Sequence, residues 1–172
     1  MRVGKHSLDI AKSSRHSSIT GRFAEALVLY WLSRDGFECA RIDHTGIDLL
    51  ANNCRTGELM GISVKSRSRF PGTESVSLTW KTDHVKVDRA CEAFRCNPYY
   101  AIVVDAGNQI RLFIVSKRYL MTISKPGKGT LCWGMSEKHL DKYRNDPQIQ
   151  YVEFTISTES WWKERRAAKS LQ

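Results

Sequence analysis

The sequence predicts a single compact α/β domain, and three observations carry that prediction. The chain has 172 residues, 41% of them hydrophobic, enough to cover one core without covalent cross-links. Its five cysteines (Cys39, Cys54, Cys91, Cys96 and Cys132) are an odd number with no CxxC pair, which argues against both a disulfide framework and a zinc ribbon and fits reduced thiols. Segments with a helical apolar period alternate with short β-branched and aromatic runs of strand length.

The first eighteen residues, MRVGKHSLDIAKSSRHSS, are basic and serine-rich and read as a flexible arm. Residues 19–172 read as the domain, with no internal repeat and no boundary inside it. No apolar run reaches the length of a signal peptide or a bilayer span, so the expected setting is the cytoplasm, away from membranes.

Thr20 is the expected N-cap of a helix over GRFAEALVLYWLSRDG, about four turns long and closed by Gly36. Phe23, Leu27, Tyr30 and Trp31 make one apolar stripe, and Val28, Leu29 and Leu32 carry it around the cylinder, so the helix is expected to be mostly buried. Glu25 falls between Arg22 and the Leu29/Leu32 edge, where a carboxylate needs a reason: it snorkels to solvent, pairs with Arg22, or serves a site. FECARI then reads as a short strand, and GIDLLANN and LMGISVKSR as a hairpin turning at Cys54 to Gly57. SRFPGTESVSL is loop-like, broken by Pro71 and Gly72, with a short strand around Val76 to Trp80.

Asp83 caps a second helix, DHVKVDRACEAFRC, that ends before Pro98. YYAIVVDA and IRLFIVS have the pattern of a β-hairpin turning at Gly107 and Asn108. SEKHLDKYRNDP reads as a short polar helix, YVEFTI as a last strand, and WWKERRAAKS as a basic terminal helix rooted at Trp161 and Trp162.

Twenty-seven Lys and Arg stand against eighteen Asp and Glu, for a formal net charge of +9, so a polyanion is the favoured partner. The positive charge is clustered: Lys5, Lys12, Arg15 and Arg22 near the start, Lys65, Arg67 and Arg69 after the second hairpin strand, and Lys163, Arg165, Arg166 and Lys169 at the end. Solubility alone also uses such charge, and a membrane surface is the lesser alternative.

Ser63 stands fifteen places after Asp48, and Lys65 follows two places on. Strand side chains alternate, so Ser63 and Lys65 share a face. If Asp48 faces the same way, a carboxylate, a hydroxyl and an ammonium converge, which is what phosphodiester hydrolysis asks for: a hard ligand for a divalent cation, and a positive group beside the attacking water. Arg67 and Arg69 continue the alternation and make either a phosphate track or a solvated strand end. Trp161 and Trp162 suit core packing or docking on the sheet, with base stacking as the alternative.

In order, a helix carrying Glu25, a strand carrying Asp48, a strand carrying Ser63 and Lys65, and then a helix resemble the PD-(D/E)XK nuclease superfamily, and within it the small archaeal Holliday-junction resolvases. The resemblance covers roughly Thr20 to Arg69. It implies a restriction-endonuclease-like fold, a mixed central sheet flanked by helices. It implies Asp48 as the main Mg²⁺ ligand, Glu25 as a further ligand or orienting carboxylate, and Lys65 beside the attacking water. It also implies a homodimer.

Ser63 departs from the family pattern, which has an acidic residue or Gln there; a hydroxyl is a poor, uncharged ligand for a hard cation. A backbone carbonyl and water complete the shell, Glu58 or Glu74 supplies the carboxylate, or the site only binds. The histidines (His6, His16, His44, His84 and His139) show no metal spacing; Asp43 and His44 suit a surface turn, the alternatives being a second carboxylate for Asp43 and a place near the site for His44. No glycine-rich phosphate loop is present, and no serine or cysteine has His and Asp partners at recognisable spacing.

The expected function is metal-dependent hydrolysis of DNA, branched DNA included, with Mg²⁺ or Mn²⁺ as cofactor, Glu25, Asp48, Ser63 and Lys65 at the centre, and Arg22, Lys65, Arg67 and Arg69 along the nucleic acid. The alternative is a DNA-binding or assembly module that keeps the scaffold without turnover. RNA stays open, because nothing in the sequence distinguishes the sugar.

Overall fold

The structure, a computed structural model, describes residues 15–69, 77–81, 83–106, 108–124 and 130–156. Helix α1 (His16–Arg34) is followed by a tight reversal at Gly36, whose φ of +86° is the left-handed conformation that closes a helix. Strands β1 (Phe37–Arg41), β2 (Leu49–Asn53) and β3 (Leu59–Arg69) form an antiparallel meander. After them come β4 (Leu78–Trp80), α2 (Asp83–Phe94), β5 (Asn97–Ala106), β6 (Gln109–Ser116), α3 (Lys117–Ile123), β7 (Leu131–Trp133), α4 (Glu137–Arg144) and β8 (Gln150–Thr155).

Six strands make one mixed sheet in the order β1-β2-β3-β5-β6-β8, and β4 pairs with β7 in a small ribbon. β3 and β5 run parallel, from Met60↔Asn97 to Arg69↔Ala106. A parallel pair needs a crossover, and α2 lies in it, so the helix is carried onto the sheet face directly over β3 and β5.

The sheet is covered on both faces. On one, Ala24, Val28 and Leu32 of α1 pack on Leu49, Ala51, Met60, Ile62, Ala101 and Val103. On the other, Val87 and Ala90 of α2 share a core with Ile47, Tyr100, Ile102, Val104, Phe113, Trp133 and Leu140. The residues of β5 alternate between these cores, as the two-residue period of a strand requires, and a strand buried on both faces reads as the continuous apolar run AIVV.

The α/β class and the mixed sheet flanked by helices are as expected, and so are the turn at Cys54 to Gly57, the β5–β6 hairpin and the short polar helix. Helix α1 differs. It starts at His16, inside the stretch expected to be an arm, and Thr20 is no cap: its hydroxyl donates to the His16 carbonyl at 2.8 Å, a bond within the helix. The expected stripe is not the buried one, since Phe23 is 44% and Tyr30 56% exposed. The close contact uses Ala24, Val28 and Leu32, which stand four residues apart on one line and let the helix lie flat on the strands.

The rest of the arm, the expected strand start at Val76, the terminal helix with Trp161, Trp162, Lys163, Arg165, Arg166 and Lys169, and Lys5, Lys12 and His6 lie outside the described residues. All five cysteines carry free thiols, and among the described residues no helix is long and apolar enough to cross a membrane.

Candidate active site

Asp48 closes the loop between β1 and β2. Its backbone is clamped on both sides: its N–H donates to the Ile62 carbonyl at 2.8 Å, and its carbonyl accepts from Ile42 N–H at 3.0 Å. The β2–β3 ladder ends at Leu49↔Ile62, so the Val64 N–H lies beyond the last paired position. The Asp48 carboxylate takes that N–H, with Oδ2 at 2.6 Å from the nitrogen. A backbone donor thereby aims the side chain at β3 instead of at solvent.

Ser63 and Lys65 do share one face. In the parallel register they lie beside Tyr100 and Ile102, both in the α2-side core. Ser63 is buried, 2% exposed, and Lys65 is half-buried. Burial pushes the Asp48 carboxyl above its ordinary range, and the charge of Glu25 adds to the rise; the Val64 N–H, the Lys65 ammonium and a hydrogen bond from Ser63 oppose it.

Asp48, Ser63 and Lys65 line one cavity of about 140 Å³, together with Thr45 and Gly46 of the β1–β2 loop and Asp83 and Lys86 of α2. Gly46 explains how a loop and a helix come to share a wall. Its φ is +119°, and a Cβ there would stand 2.4 Å from the Lys86 carbonyl oxygen, so the loop sits directly against the first turn of α2. Asp83 and Lys86, three residues apart, then turn to the same side and pair at 3.6 Å.

Glu25 is placed differently. It is ion-paired with Arg41 of β1, not with Arg22, and it does not line the cavity, although its charge reaches Asp48. Arg22 is exposed on α1, and Arg67 lies farther along β3, half-buried; the side chain of Arg69 is outside the described residues. Asp43 and His44 stand in the exposed loop ahead of Asp48, with the His44 ring against Phe94.

Of the two carboxylates expected to stand in for the group that Ser63 lacks, Glu58 is excluded by position. It lies five residues back along the chain, about 16 Å at the rise of a strand. There it accepts hydrogen bonds from Asn97 Nδ2 at 3.0 Å and the Tyr99 hydroxyl at 2.9 Å. Glu74 is outside the described residues. Sequence reasoning missed Asp83 and Lys86 at the site because Asp83 reads equally well as an ordinary helix cap; the available signal was Gly46 in the loop ahead of Asp48, a place where only a backbone without Cβ fits against another element.

Among the described residues no three of His, Cys, Asp and Glu gather as a ready-made metal cage. A hard cation that keeps most of its water does not need one, and the carboxylates facing this polar cavity fit magnesium or manganese better than a metal that prefers sulfur or imidazole.

No protein-family model matches the sequence, and no curated protein matches it. Among solved structures, Hjc from Archaeoglobus fulgidus, a Holliday junction resolvase from an archaeal hyperthermophile, is similar over 68% of this chain and 91% of that one, with a TM-score of 0.47 and 17% identity.

Proposed function

We propose that this protein is a metal-dependent nuclease that hydrolyses DNA phosphodiester bonds. The observation that supports the reading is the convergence of Asp48, Ser63 and Lys65 on one polar cavity, with Asp48 aimed there by the Val64 N–H. Asp48 holds the cation, Mg²⁺ or Mn²⁺, which when bound polarises the scissile phosphate and acidifies the attacking water. Lys65 orients that water and balances charge growing on the phosphoryl oxygens. Ser63 shares the cavity with Asp48, and its hydroxyl favours the charged carboxylate. Glu25 acts from the rim through its charge, and Arg41 releases it if it is to become a ligand. Arg22, Arg67 and Arg69 serve as the residues that bind the phosphates of the nucleic acid, and the active form is a homodimer.

The test is cleavage of end-labelled duplex, single-stranded and branched DNA in Mg²⁺ or Mn²⁺. Wild type is expected to cut at least one of these and Asp48→Ala none; identical behaviour on every substrate contradicts the reading.

A second reading, a DNA-binding module without turnover, is favoured by the hydroxyl at Ser63 and by the pairing of Glu25 with Arg41. It expects salt-sensitive binding and no cutting with any metal.

A further inference from the structure

We propose that Asp83, on the first turn of α2, supplies the second carboxylate of the metal centre and takes the place of the acidic group that Ser63 lacks. The inference rests on the nuclease reading above and adds a residue to the same site.

The acidic group that Ser63 lacks would reach into the cavity from the sheet. Asp83 reaches the same cavity from the opposite wall, with Asp48, Ser63 and Lys65 on the sheet side and Asp83 and Lys86 on the helix side. This approach is fixed by packing, because the Gly46 contact leaves no space for even one methyl group between the loop that carries Asp48 and the turn that carries Asp83. The charge of Asp83 also reaches the sheet: after burial and Asp88, it is among the causes that raise the pKa of Tyr100. Tyr100 is the β5 residue paired with Ser63, and its buried hydroxyl has no hydrogen-bond partner.

The size of the cavity agrees. About 140 Å³ corresponds to four or five waters at roughly 30 Å³ each. Magnesium binds through one or two carboxylates and keeps several waters, so a cleft of this size lined by Asp48 and Asp83 has room for it. Without the metal, the Lys86 ammonium 3.6 Å from Asp83 balances its charge.

The test is Mn²⁺ binding to the full chain without nucleic acid, by titration calorimetry, with DNA cleavage measured on the same preparations. Asp48→Asn and Asp83→Asn are each expected to weaken Mn²⁺ binding about tenfold or more, Asp83→Glu to recover most of it, and the surface control Asp35→Asn to stay within about twofold of wild type. Thermal midpoints confirm that each variant is folded. If Asp83→Asn binds like wild type while Asp48→Asn does not, or if wild type cuts DNA without binding Mn²⁺ on its own, the role of Asp83 is overturned and the nuclease reading stands. A wild type that neither binds Mn²⁺ nor cuts DNA overturns both.

Discussion

Asp48 is a carboxylate held where burial disfavours its charge, and the fold gains nothing from that charge. Its raised pKa means that the folded state prefers the neutral form, so this group favours folding in acid and opposes it once ionised at neutral pH. The structural duty of the side chain, accepting the Val64 N–H, needs only an oxygen. Asp48→Asn is therefore expected to raise the thermal midpoint of the metal-free protein at neutral pH, by a stability gain of about 1 kcal/mol or less, while abolishing cleavage. A lower midpoint, read by calorimetry or circular dichroism, contradicts the view that a stability cost is carried here for function. At this scale the sequence was most legible where chemistry and spacing coincide: strand alternation put Ser63 and Lys65 on one face, whereas the direction of Asp48 was left open, because it is set by the Val64 N–H and not by a strand period. The partner of Glu25 was not legible, because Arg41 reaches it from another element.

Two contacts between elements position α2 against the sheet. One is Gly46, whose replacement by Ala would force a Cβ into the Lys86 carbonyl in a left-handed conformation; a loss of about 2 kcal/mol or more is expected, with cleavage falling because Asp48 and Asp83 separate. Gly46→Ala with wild-type unfolding in urea would show that the loop and helix are not in hard contact. The other is Lys117 at the start of α3, buried, with its ammonium 2.5 Å from both carboxylate oxygens of Asp88 and 2.9 Å from the His84 carbonyl. Lys117→Met is expected to cost about 1–3 kcal/mol; Asp88, half-exposed, can return to water, which keeps the loss below that of a fully buried pair. The strands of the six-stranded sheet and α2 were legible because their periods are strong and their turns carry Gly, Asn or Pro. Helix α1 was legible in existence but not in its buried line, which small residues set by letting helix and sheet approach. α3 and β7 are too short to show a period, and they form because β6 delivers them to the core over α2.

As a whole, the chain carries a net charge of +9, and nucleic-acid affinity is expected to fall with added salt with a log–log slope of about −3 or steeper. A slope near zero would remove the electrostatic basis for a polyanion partner. Alkaline pH tests the fold itself. Burial and the Glu58 carboxylate push Tyr99 from 10.0 up to about 12, so its contribution to stability is complete below about pH 10 and lost as pH rises toward 12; Tyr99→Phe should flatten that decline in urea titrations.

The central claim, that the Asp48 cavity is a reaction centre and not only a binding surface, is tested most directly by single-turnover cleavage of end-labelled DNA in Mn²⁺ by wild type and Asp48→Asn, with DNA binding measured on the same samples. The expected result is binding within about threefold of wild type and cleavage lower by three orders of magnitude or more, the signature of an interaction made only in the transition state. Equal cleavage by the two proteins, or none by either while both bind, would contradict it.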